Sequence, residues 1–181
     1  FLNYCNHFVV VTSPSGEAEI RKEFERICHK CDYEIAIQDE PKGMAHAIWQ
    51  ARRIVKTPFT AVVWGDQICL RKETITKTLA YHQSDLANVL TFPTVFKKEP
   101  YIHFKRDKYG KILKVLQKRE NEIETEVGEN DCGYFCFATN WLFSILGKGL
   151  ISPTSIGAHT KEINLLQLFP QFESIDGRPN G

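Results

Sequence analysis

The chain has 181 residues, the size of one domain, and its hydrophobic fraction of 43% is that of an ordinary soluble globular protein. Its net charge is +1 with basic and acidic residues interspersed, so no large single-sign field points to nucleic acid or a membrane surface as a partner. No apolar run could span a bilayer, and the opening Phe1-Leu2-Asn3-Tyr4-Cys5 has neither an initiator Met nor the basic n-region of a signal peptide.

Strand-like and helix-like segments alternate through the first half. Residues 8–11 are a β-branched run closed by Ser13-Pro14-Ser15-Gly16. Residues 17–30 put Ile20, Phe24 and Ile27 at helical spacing between charges. Residues 33–37 alternate as a strand. Residues 44–55 align Ala47, Ile48, Ala51 and Ile54 on one helical face. Residues 59–64 form a nearly all-apolar strand, expected to be buried on both faces, and residues 71–82 a helix with Ile75, Leu79 and His82 along one side. This order predicts an α/β fold with a mainly parallel sheet.

The second half reads as more antiparallel. A strand is predicted at 88–95. Residues 102–106 and 112–116 flank the turn Asp107-Lys108-Tyr109-Gly110, which predicts a hairpin. A further apolar strand spans 132–138, short helices 140–146 and 162–168, and a Gly/Ser/Thr/Pro-rich loop covers 147–159.

The six cysteines include the lone C-x-x-C of Cys28 and Cys31, and Cys132 and Cys136 four apart. Zinc would need two such pairs brought together, so free thiols in a reducing, cytoplasmic setting are the expectation. His82 on an apolar helix face reads as a core histidine, His46 as structural, and His29 and His159 as solvent-facing. Lys97-Lys98 and Lys118-Arg119 read as a solvated charged face.

Two motifs carry chemistry. Val62-Val63-Trp64-Gly65-Asp66 ends an apolar strand in Gly-Asp, and ligands of open α/β sheets bind beyond the carboxyl ends of strands. A carboxylate there can hold a divalent cation, and Gly65 lets a phosphate approach the backbone; taken alone, Gly65-Asp66 reads sooner as a common turn pair. In Gln38-Asp39-Glu40-Pro41-Lys42-Gly43-Met44-Ala45-His46-Ala47 a strand ends near Gln38 and a helix starts after Gly43. Gln38 could read a base edge and the Gly43 backbone could lie against a base or ribose, although a polar loop would look the same.

Together, Gln-x4-Gly-x2-His-Ala, a strand ending in Gly-Asp, a later Pro-Tyr, a hairpin, and Gly-Tyr-Phe on a strand resemble the nucleoside-diphosphate-sugar pyrophosphorylases, the sugar-1-phosphate nucleotidyltransferases. Within them the likeness is greatest to the bacterial N-acetylglucosamine-1-phosphate uridylyltransferases, over roughly residues 8–175. The resemblance implies a GT-A-like, Rossmann-type three-layer α/β domain with a mixed, mainly parallel sheet. It implies a nucleoside triphosphate, with UTP expected, a sugar 1-phosphate, and Mg²⁺. Gln38, Gly43 and Met44 match the nucleotide-reading stretch, Gly65 and Asp66 the phosphate and metal site, with Asp66 the catalytic metal ligand. Tyr101, Gln117, Asp131 and Gly133 match the sugar pocket.

Departures from the family pattern are also present. Met44 stands where Thr is usual, Ile102 where a sugar-contacting Gly is usual, Gln117 where the pattern has Glu, and Asp131 where it has Asn. The last three predict a different acceptor, another sugar phosphate or a different phosphorylated alcohol. The glycine-rich triphosphate loop has no counterpart in residues 1–7, so the expectation is a domain lacking its first βα unit, completed by another segment or a homo-oligomer, and inactive alone. A strand is then expected between those at 8–11 and 59–64. Asn180 is a weak match to the family's second metal ligand, and no hexapeptide repeats follow. A non-catalytic nucleotide-sugar-binding relative is the rival reading. A glycosyltransferase would want a D-x-D motif, which Gly65-Asp66-Gln67 does not supply.

Overall fold

A computed structural model describes residues 1, 3–5, 7–27, 31–152 and 156–171. Strand β1 (His7–Thr12) pairs in parallel with β2 (Asp32–Ile37), joined by helix α1 (Glu17–Ile27). Helix α2 (Met44–Gln50) tightens into a 3-10 turn at Ala51–Arg53, where the Arg52 guanidinium lies 4.7 Å from the Trp49 ring centroid. Strand β3 (Phe59–Val63) leads into helix α3 (Lys72–Gln83).

The strand predicted at 88–95 is split. Two residues, β4 (Leu90–Thr91), pair with β9 (Tyr134–Ala138), and after Pro93 the chain crosses to form β5 (Thr94–Lys98) against β8 (Val127–Asp131). Proline has no N–H for the ladder, so the break falls there. The hairpin β6 (Ile102–Arg106) and β7 (Ile112–Gln117) forms as predicted, with the Asp107 carboxylate accepting the Tyr109 and Lys111 amides. Helix α4 (Thr139–Gly149) outlasts its prediction, whereas the helix expected at 162–168 is a 3-10 helix at Leu166–Gln171.

The heart of the fold is the sheet β3-β9-β4. Side chains alternate across it at the strand period. Val62, Trp64, Phe135 and Phe137 join a core with α2, α4 and Leu165–Phe169, while Ala61, Val63, Tyr134 and Cys136 pack with Ile75 and Leu79 of α3. Helix, sheet and helix thus make three layers. Phe1 and Tyr4 cover the α3 side, Phe1 lying edge-on to Tyr134 and the Tyr4 hydroxyl 2.9 Å from Thr76 Oγ1.

The α/β class with mixed pairing matches the sequence expectation, but the balance differs. Only the β1–β2 ladder is parallel among the described residues, and β3 pairs antiparallel with β9. No residue of β3 reaches full burial, unlike Tyr134–Phe137 of β9, because among the described residues β3 has a strand on one side and β9 on both. β1 and β3 each keep one backbone edge without a ladder partner among the described residues.

Cys5, Cys69, Cys132 and Cys136 are free thiols, and burial pushes that of Cys136 up to about 11. Cys31, expected to be free, is disulfide-bonded; Cys28, His29 and Asn180 lie outside the described residues. His82 is a core residue, its Nδ1 3.0 Å from Thr91 Oγ1 and its pKa held below the ordinary value by burial. No helix among the described residues is long and apolar enough to cross a membrane.

Candidate active site

Both motif-bearing turns leave the carboxyl ends of strands. β2 ends at Ile37, and the Gln38 amide continues the ladder by donating to Thr12 O at 2.8 Å. The Gln38 side chain turns back over its own loop. Its Nε2 donates to Gly43 O at 3.1 Å and lies 3.1 Å from His46 Nδ1, and the Gln50 carboxamide meets the other ring nitrogen at 3.0 Å. Gln38 Oε1 accepts no hydrogen bond from this set, which leaves the acceptor end of the amide for a ligand. The Gly43 carbonyl orients the Gln38 amide, and His46, which reads as merely structural in the sequence, packs beside it.

Gly43 has φ +96°, and a Cβ there would sit 2.6 Å from Ile163 O. The loop is pinned by Ile163 N donating to Lys42 O at 2.8 Å and Ala45 N donating to Ile163 O at 3.2 Å. Met44, half-buried, opens α2.

β3 ends differently. Gly65 and Asp66 are exposed, and a Cβ at Gly65 would meet nothing within 4 Å. Trp64 N donates to Gly133 O at 3.0 Å and Gln67 N closes the turn on Trp64 O at 3.1 Å, so the strand end is rigid while the space beside Asp66 is open. Gly133, at φ +67°, underlies the Gln67 side chain. Asp131 is buried beside them. Its Oδ1 accepts the Gly133 amide at 2.7 Å, and its carboxylate also takes a hydrogen bond from the Trp64 side chain. Burial raises its pKa; the Gly133 and Trp64 donors and the charge of Lys97 pull the other way without prevailing.

The remaining sugar-pocket candidates are tied to this group. Asn130 Oδ1 accepts the Tyr101 and Ile102 amides at 3.1 and 2.9 Å, and the Arg106 guanidinium makes a two-point pair with Glu129 at 2.8 and 2.9 Å, so β6 is locked to β8 through side chains. Tyr101 itself is half exposed, and its carbonyl accepts Lys118 N at 2.9 Å. Gln117 is 1% exposed, and its Oε1 accepts Asn164 Nδ2 at 2.6 Å. Gln117 Nε2 and Arg119 Nη2 are buried donors with no partner among the described residues. Such donors call for a water or a ligand oxygen.

The structure thus brings Gly65, Asp66, Asp131 and Gly133 together directly, and Tyr101 and Gln117 to their flank. It joins Gln38, Gly43 and Met44 in a second group, which meets Gln117 through residues 156–164. Sequence reasoning missed Trp64, Gln67, Asn130 and Asn164; a tryptophan at a strand end and a run of three polar residues at 129–131 were the available signals. A separate surface cleft of 410 Å³, between Phe96, Phe104 and Leu113, contains none of the predicted residues.

Asp66 is a single exposed carboxylate, and no group of three or more His, Cys, Asp or Glu side chains forms a metal cage among the described residues. That donor set fits a Mg²⁺ ion that takes one or two carboxylates and completes its shell from phosphate and water.

An open turn after β3 and a packed turn after β2 stand at the carboxyl ends of strands in an α/β fold, the place where such sheets bind ligands. The chain belongs to the nucleotidyl transferase family, whose model matches residues 2–128. It is 33% identical over 118 residues to the bifunctional protein GlmU of Enterococcus faecalis, covering 62% of this chain and 26% of that protein. To GlmU of Bacillus licheniformis it is 33% identical over 136 residues, covering 72% and 28%. The chain therefore spans about a quarter of the length of these relatives. Among solved structures it matches an apo UDP-glucose pyrophosphorylase with a TM-score of 0.63 at 15% identity, over 92% of this chain and 69% of that one. It matches HddC from Yersinia pseudotuberculosis with a TM-score of 0.60 at 14% identity, over 78% and 60%. At such identities the likeness is one of fold.

Proposed function

We propose that this chain is the substrate-binding body of a sugar-1-phosphate nucleotidyltransferase. In that reaction a sugar-phosphate oxygen attacks the α-phosphorus of a nucleoside triphosphate, the bond from that phosphorus to the bridging oxygen breaks, and pyrophosphate leaves with the electron pair. The observation that carries the reading is the open Gly65-Asp66 turn beside the buried Asp131–Gly133 group, in a chain of this family. Phosphoryl-type transfer asks for in-line positioning and neutralised charge rather than a protein nucleophile, and these residues offer that.

Asp66 would hold a divalent cation, Mg²⁺ by its donor chemistry, which neutralises phosphate charge when bound. Gln38 Oε1 would accept from a base N–H, for which the imide of UTP is suited. Tyr101, Gln117 and Asp131 would line the sugar-phosphate side, and the unpartnered Gln117 and Arg119 donors favour an acceptor-rich ligand there. A segment supplying the triphosphate grip would seat against the free edges of β1 and β3.

The test is pyrophosphate release by the full-length gene product with UTP and other triphosphates across a panel of sugar 1-phosphates. Turnover with one pair supports the reading; UTP binding without turnover on any acceptor would replace it with a non-catalytic nucleotide-sugar binder. The altered pocket, with neutral Gln117 where the family pattern has Glu, is the observation that favours this rival.

A further inference from the structure

Residues 156–164 form a strap between two regions far apart in sequence. Ile156 bridges to Ile163, and Gly157 and Glu162 close the strap on itself by a 2.9 Å backbone bond. One side is held by the turn after β7, residue by residue. Asn164 bonds Gln117 at 2.6 Å and Glu162 pairs with Arg119 at 2.8 Å. The Glu120 carboxylate accepts His159 N at 2.7 Å, Thr160 Oγ1 at 2.6 Å and Thr160 N at 3.4 Å. The other side holds the loop at 42–45 through Ile163, at the bonds to Lys42 and Ala45.

Glu120 is buried, and its carboxylate is spent on the strap. Burial alone would raise its pKa, but the Thr160 and His159 donors prevail and hold it below the ordinary carboxylate value, so it stays an anion. A carboxylate accepting from two backbone amides and a hydroxyl is a strong, directional anchor. Because the strap is gripped on both sides, anything that shifts it moves the Gly43 carbonyl that Gln38 Nε2 holds and the Gln117 amide together.

We infer that Glu120 is a positioning residue for the nucleotide loop. It anchors the 156–164 strap, and the strap sets the backbone of residues 42–45 and so the aim of Gln38. This rests on the reading of residues 38–45 as the base-binding loop. The strap is then the physical connection by which occupancy of the Gln117 side is felt at Gln38.

The test uses the full chain and reads amide hydrogen exchange alongside UTP affinity by calorimetry. In Glu120→Ala, exchange at Ala45 and Ile163 should accelerate about tenfold, the consequence of losing one charged hydrogen-bond group. The Phe135 and Phe137 amides of β9 should keep their wild-type protection, and the UTP dissociation constant should rise by about the same factor. Glu120→Gln keeps an acceptor for Thr160 and should restore both readouts to within about threefold. Thr160→Val removes only the hydroxyl and should give a smaller change of the same pattern. Unchanged exchange at Ala45 in all three variants, or a rise shared equally by β9, overturns the strap as a positioning device. Local exchange that rises while UTP affinity stays constant overturns Glu120's role in nucleotide binding. Local exchange coupling in a wild-type chain with no measurable UTP affinity keeps the strap and instead refutes the assignment of the base loop.

Discussion

Gly43 and Gly65 both end a strand-side turn near the carboxyl edge of a sheet, and both stand in motifs that look alike on paper. Their surroundings are opposite. Gly43 sits at positive φ with the backbone of Ile163 where a side chain would go, whereas Gly65 has empty space on that side and no left-handed backbone. The first glycine is demanded by the protein's own packing. The second is demanded by nothing in the fold, which is the condition expected of a place kept clear for something else.

Substitution breaks this comparison most sharply at Gly43. Gly43→Ala should cost about 3 kcal/mol of stability, summing left-handed strain with a forced shift of Ile163. Gly65→Ala should stay within about 0.5 kcal/mol of wild type by urea unfolding. Equal losses at the two positions would end the distinction.

Next in size is Asp66→Asn, for which turnover by the complete protein should fall at least about a hundredfold, roughly 2.7 kcal/mol in transition-state energy, with an unchanged thermal midpoint. Turnover near wild type at saturating Mg²⁺ would take Asp66 out of the site. Gln38→Ala should weaken UTP binding by about 1–2 kcal/mol, measured calorimetrically; no change would leave the Gly43 side with a structural role alone.

The smallest effect concerns Asp131. Its folded pKa lies above the unfolded value, so the protonated side chain contributes stability that is full below the unfolded carboxylate pKa and is lost as pH rises through the folded one. Asp131→Asn keeps an acceptor for the Gly133 amide and removes the buried charge. It should therefore raise the urea midpoint at pH 7 relative to wild type and flatten the decline that sets in above the unfolded carboxylate pKa. A lower midpoint at pH 7 would mean that Lys97 and Trp64 stabilise the charge more than burial penalises it.

Local pattern carried much of this architecture. β1, α1, β2, α3, the β6–β7 hairpin and β9 follow from periodicity and turn residues, and Gly65-Asp66 is legible because a strand end with a carboxylate is a recurring place for ligands. β8 was not legible, since Val127-Gly128-Glu129-Asn130-Asp131 is built mostly of residues that disfavour strands and is held by Arg106 and by its own Asn130 side chain. Nor was the partner of β3: an antiparallel match between residues 59–63 and 134–138 leaves no mark in either segment. The strap escaped for the same reason, because Glu120, Thr160 and Ile163 matter only through contacts across more than a hundred residues of chain or some forty of it.

The pairing of β3 with β9 also sets a schedule. On the ribosome Phe59–Val63 emerges long before Tyr134–Ala138, and β4, the other strand of that sheet, pairs with β9 and not with β3. At roughly 5–20 residues per second, β3 waits on the order of 4–15 s for its ladder. During that interval its apolar side chains and the edge that β9 will take are without their native sheet, while β1 and β2, joined by one short crossover, find each other far sooner. The nascent chain is thus open to wrong pairing for longer in the segment that leads to Asp66 than in the β1–β2 unit.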